Sequence, residues 1–164
     1  MNTNMNSTVI EVQNTIEKAF KNVSINDGLT IKQCVAVDDR EDKNSPQYSD
    51  ITDYYSWSEL PDSHIKFIET HGVFSHSGLN GALFYLPAAM IYVVKNQNEF
   101  KHYETAWAIL SSILFQLEKP EFIQLLSIQQ KHSIISWLGY IKSILEQDSV
   151  FDEDIEAICQ KLES

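Results

Sequence analysis

Gly81 to Val94, reading G-A-L-F-Y-L-P-A-A-M-I-Y-V-V, decides the fold. From Ala82 to Val94 no residue is charged, and only two tyrosine hydroxyls and the backbone are polar. A segment apolar on every side has to be surrounded by other elements. It falls short of the ~20 apolar residues that cross a bilayer. The stretch therefore reads as the buried central helix of a small helical protein. Pro87 lies in its middle, where it cannot donate to the Leu83 carbonyl and crowds it. A kink, or a junction of two helices, is expected there.

Working outward, amphipathic stripes at helical spacing flank this segment on both sides. Val9, Val12, Ile16, Phe20 and Val23 form one, with Thr8 and Glu11 at the spacing of a capping box. Asn26-Asp27-Gly28 is read as its stop, with Gly28 taking a left-handed turn. Leu29 to Val37 is rich in β-branched residues, which allows one short extended segment near 30–37. Pro61 opens a short helix with Ile65 and Ile68, and Gly72 is placed to stop it. After the central segment, Tyr103, Ala106, Trp107, Leu110, Leu114 and Leu117 make a strong stripe. Pro120 opens another helix, and Ser127 with Gln130 repeats the capping-box spacing. Ile134, Ile135, Leu138, Ile141 and Leu145 follow, with Gly139 among them suggesting close approach of a neighbour. A last helix, about 152–162, starts acidic and ends at Lys161, an order that suits the helix dipole.

The expected fold is all-α: six or seven helices packed around 82–94 in one domain over 1–164, with residues 1–6 disordered. Residues 38–56 form the one long segment without helical periodicity, an acidic loop closed by Tyr48, Tyr54, Tyr55 and Trp57. Long irregular segments in compact domains are usually functional or disordered. The two cysteines, Cys34 and Cys159, lie far apart and form no metal or redox motif. The N-terminus lacks the basic start and apolar core of a signal peptide, so the expected location is the cytoplasm.

The charge is uneven. The chain carries a formal charge of −11. Residues 38–62 hold eight acids against Arg40 and Lys43, a local −6, and residues 146–164 hold seven against Lys161, again −6. Phosphate backbones are bound by Lys and Arg, so direct contact with nucleic acid is not expected.

Several short motifs resemble a known family. Trp57-Ser-Glu-Leu60 precedes a short helix and Phe74, then comes Tyr85-Leu86-Pro87-Ala88 in the apolar helix. Further on, Leu126-Ser-Ile-Gln-Gln130 leads into Trp137-Leu-Gly-Tyr-Ile141. Over roughly residues 8–145 this order resembles a family of small uncharacterised bacterial proteins marked by a Tyr-Leu-Pro-Ala segment, a domain of unknown function. The chain departs from that pattern near Arg40 to Asp53. The resemblance implies a cytoplasmic, bacterial, α-helical protein and brings no catalytic residues.

A search for chemistry finds little. No H-E-x-x-H, G-x-S-x-G, EF-hand or glycine-rich phosphate loop is present. Glu99 and His102 form one E-x-x-H, where a di-iron bundle needs two. His71 and His76, with Glu69, bracket a loop and make at most a partial metal site. No cofactor, metal or catalytic residue is assigned. What stands out is the pairing of acids with aromatics in Asp50-Ile-Thr-Asp53-Tyr54-Tyr55-Ser-Trp57-Ser-Glu59. Tyrosine and tryptophan are favoured interface anchors, and a carboxylate rim steers a basic partner. The plain alternative is that Trp57 and one tyrosine are core residues and the acids keep the protein soluble.

The leading expectation is a non-enzymatic, acidic binding protein of immunity or inhibitor type. It would cap a basic protein partner such as a bacterial nuclease toxin through Asp50, Asp53, Tyr54, Tyr55 and Glu59. One alternative is a small metal-assisted hydrolase using His71, His76 and nearby carboxylates. Another is a homo-oligomeric structural protein.

Overall fold

The computed structural model describes residues 2–49, 56–102, 104–145 and 150–164. Its architecture is all-α. Among the described residues the elements are α1 (Asn2–Phe20), α2 (Ile31–Asp38), α3 (Pro46–Ser49), α4 (Asp62–Ile65), α5 (Phe67–Thr70), α6 (Val73–His76), α7 (Gly78–Lys95), α8 (Thr105–Leu117), α9 (Pro120–Leu125), α10 (Ile128–Ile144) and α11 (Asp152–Glu163). Short 3₁₀ turns at Trp57–Glu59 and Gln97–His102 complete the path. The count exceeds the expected six or seven because α3, α4, α5 and α6 are single turns, too short to leave a periodic stripe.

Helix α7 is the organising element. Ala82, Phe84, Tyr85, Leu86, Ala89, Met90, Val93 and Val94 are fully buried. Helices α1, α4, α6 and α8 and the Trp57–Glu59 turn all pack on it. At 18 residues it approaches membrane-spanning length, but 72 % of it is buried against other parts of this chain. Pro87 sits inside one continuous helix, so no junction of two helices occurs. A proline in a helix interior costs about 3 kcal/mol, and packing on all sides offsets that cost. Helix α10 joins α7 through Trp137, whose indole N–H donates to the Met90 carbonyl at 3.1 Å. It also packs against α1 and α11.

The segment near 30–37 is helical, not extended. Thr30 caps α2 in a capping box with Gln33, and Ile31 and Cys34 are buried one turn apart. β-Branched residues carry only a weak preference, and the cap outweighs it. The expected capping box at Thr8 and Glu11 falls inside α1, which begins at Asn2. The one at Ser127 and Gln130 is formed. After α1 it is Asn26, at φ 49°, that takes the left-handed conformation, not Gly28. Gly72 does so at φ 53° and separates α5 from α6. Gly139 is exposed and, among the described residues, a Cβ there would meet nothing within 4 Å, so none of them approaches it closely.

Candidate functional site at the end of helix α2

Helix α2 ends in a cluster of acids. Its last residue is Asp38, Asp39 is its C-cap, and Glu41 and Asp42 follow. All four are exposed. The chain turns away through a Schellman motif. Arg40 adopts φ 60°, its N–H donates to the Val37 carbonyl at 3.1 Å, and the Glu41 N–H donates to the Ala36 carbonyl at 2.7 Å. A helix C-terminus is the negative end of the macrodipole, where carboxylates are disfavoured. This helix has no basic residue in its last turn.

Two histidines face the cluster. His71 caps the end of α5 and His76 closes α6, and the left-handed Gly72 between these helices turns the chain. His71 Nδ1 lies 3.2 Å from Asp38 Oδ2, and His76 Nε2 lies 3.6 Å from Asp38 Oδ1. Ligand atoms of Asp38, Asp39 and His71 all lie within 4.8 Å of one another. The phenyl ring of Phe67 packs against the His71 imidazole, with centroids 5.3 Å apart and the planes tilted by 40°. The sequence paired these histidines with Glu69. The fold pairs them with Asp38 and Asp39 instead, because α2 packs on α6. Asp38 is 33 residues from His71, and no spacing rule links them.

The acidic loop is partly built. Asp42 Oδ1 accepts the Asn44 N–H at 2.9 Å, forming an Asx turn. Glu41 accepts Gln47 Nε2 at 2.9 Å and the Tyr48 hydroxyl, tying α3 back to the end of α2. The hydrogen bond to Glu41 raises the Tyr48 phenol above its ordinary value, with burial adding to the shift. So 38–49 is not the unbroken irregular segment the sequence suggested.

Of the five residues expected to contact a partner, Asp50, Asp53, Tyr54 and Tyr55 lie outside the described residues. Glu59 is exposed, and its carboxylate accepts the Ser56 backbone N–H at 3.1 Å, closing a capping box on the 3₁₀ turn. That is a local structural job beside any role at an interface. Trp57 is a core residue: it is 3 % exposed, and its indole N–H donates to the Phe20 carbonyl at 2.8 Å. Glu99, half of the E-x-x-H, is occupied too, since its carboxylate caps α8 by accepting the Ala106 N–H at 2.9 Å.

Both cysteines are free thiols, Cys34 buried and Cys159 half-buried. Burial pushes the Cys34 thiol up to about 12, which makes it a poor nucleophile.

No curated protein and no solved structure matches this chain. A family's sequence model does match, over residues 8–163, so the match runs through α11 and beyond the segment carrying the resemblance. The chain belongs to that family, DUF6714, a family of unknown function.

Proposed function

We propose that the protein is a non-enzymatic acidic binding protein that caps a basic protein partner. An immunity or inhibitor protein against a nuclease-type toxin is its most concrete form. The observation that carries this reading is the row of exposed carboxylates Asp38, Asp39, Glu41 and Asp42 at the negative end of a helix. Like charges gathered where the helix dipole opposes them destabilise the free protein, and a cationic partner relieves that. The same chain continues directly into Asp50, Asp53, Tyr54, Tyr55 and Glu59, the residues assigned to contact the partner. Tyr54 and Tyr55 would supply the anchors, and the carboxylates the steering.

The test is capture by the immobilised full chain from its host's lysate, at low and high salt, with bound proteins identified by mass spectrometry. The reading expects one stoichiometric basic protein that is lost at high salt, because screening weakens exposed charge pairs. It also expects that Asp50, Asp53 and Glu59 changed together to Lys abolish capture. Capture unchanged in that triple variant overturns the assigned surface. A partner retained equally at both salts overturns the electrostatic mechanism.

A further inference from the structure

We infer that Asp38, Asp39 and His71 form a binding site for a divalent transition-metal ion of the zinc type, with His76 orienting Asp38 from the other side. The donor set is two carboxylates and an imidazole, a borderline set that suits zinc, cobalt or nickel better than magnesium or calcium. The spacing fits as well. Zinc binds nitrogen and oxygen at about 2.0–2.1 Å, so two ligands of a tetrahedral ion sit about 3.3 Å apart. His71 Nδ1 and Asp38 Oδ2 are 3.2 Å apart, and the third donor falls within the 4.8 Å that encloses all three. One pair of donors therefore already stands at the tetrahedral spacing, and the third closes in by a side-chain movement of at most about 1.5 Å.

Three features beyond the donors support it. Two carboxylates stand at the negative end of helix α2, which has no basic residue in its last turn, so a dication there is favoured by the carboxylates and the helix dipole together. His76 Nε2 lies 3.6 Å from Asp38 Oδ1, the carboxylate oxygen that His71 does not face. At that distance it is a charge contact beside the carboxylate, placed to become an outer partner once Asp38 ligates. The cluster is also reachable, because the side chains of His71, His76 and Asp38 are 26 %, 30 % and 40 % exposed. A three-residue set leaves the fourth position of a tetrahedral ion open to water or to a partner's side chain. The inference does not depend on the proposed function, since the ion is bound with or without a protein partner.

The experiment is calorimetric titration of the chelator-stripped full chain with zinc chloride, with cobalt(II) absorption as a spectroscopic readout. One ion per chain is expected, with the intense visible bands of a tetrahedral cobalt site. Asp38→Asn and His71→Ala each remove the tight event and the bands. His76→Ala weakens binding about 10- to 100-fold, as losing an outer partner does. His132→Ala, an exposed histidine on α10, leaves uptake unchanged. All the altered side chains are at least partly exposed, and circular dichroism checks that each variant is folded. No zinc event in the wild type overturns the site. So does wild-type uptake in folded Asp38→Asn or His71→Ala.

Discussion

Gly28 and Gly81 meet backbone to backbone. A Cβ placed on Gly28 would lie 2.5 Å from both the Cα and the amide nitrogen of Gly81. Around this contact the turn before α2 is fastened to the start of α7. Leu29 N donates to the Ser77 carbonyl at 3.0 Å, Asn80 Nδ2 to Asp27 at 2.6 Å, and the Tyr85 hydroxyl to the Leu29 carbonyl at 3.0 Å. Together these bonds fix where α2 sits, and hence where Asp38 meets the histidines.

Gly28→Ala is expected to destabilise the fold by about 1–3 kcal/mol or more, as overpacking does. The clash is with backbone, so no side-chain rotation relieves it. Gly139→Ala makes the contrast: its Cβ enters open space on an exposed helix face, and the change should stabilise by about 0.5–1 kcal/mol. Urea unfolding of both variants checks the pair. A Gly28→Ala protein that unfolds at the wild-type midpoint would remove the close approach as an explanation.

Trp57 holds the acidic segment to the core. Its indole N–H donates to the Phe20 carbonyl at the end of α1, which also accepts the Val23 N–H at 3.0 Å. Trp57→Phe keeps much of the apolar body and deletes the donor while the Phe20 carbonyl keeps the Val23 N–H, so the loss should be about 0.5–1.5 kcal/mol. Urea unfolding should show that loss as a lower midpoint, and an unchanged midpoint would contradict the tether.

The central helix was legible because its thirteen uncharged residues admit one environment, and the stripes flanking it because their period is helical. The Asp38 cluster was not legible in the same way. It is made by two short elements, α5 and α6, joined at Gly72, meeting the end of a helix that the sequence allowed to be extended. Gly139 misled for a related reason: a glycine in a stripe signals a missing Cβ, and only the fold tells whether something fills that space. The acids and histidines were visible one by one, and the packing of α2 on α6 is what makes them a site.

Arg40 and Gly72 offer mirror-image substitutions. Arg40 sits at φ 60° and bears a Cβ, a conformation that costs an L-residue about 1–2 kcal/mol. Arg40→Gly relieves that and gives back about 0.5–1 kcal/mol in chain entropy, so a net gain of up to about 1 kcal/mol is expected. Gly72 already uses the glycine at φ 53°, and Gly72→Ala should lose about 1–2 kcal/mol. Thermal unfolding should move in opposite directions for the two variants. Shifts of the same sign would mean that backbone strain at Arg40 is not what limits this end of α2.

Cys34 sets the last prediction, a stability loss at alkaline pH. The thiol is fully buried, and burial raises it from 9.0 to about 12. Between those values the unfolded chain releases the proton while the folded chain keeps it, so the folded state binds more protons and stability falls as pH rises. Below pH 9.0 this contribution is fully present, and it is lost progressively toward pH 12. The slope should reach about 1.4 kcal/mol per pH unit. Cys34→Ala lowers stability below pH 9.0 but removes that part of the slope, so the wild-type and variant curves converge as pH increases. Native-state alkylation gives an independent check, because Cys159, only half-buried, should react well before Cys34. Parallel pH curves for wild type and Cys34→Ala, or equal alkylation rates at the two thiols, would mean that the surroundings of Cys34 open to water far more readily than their packing implies.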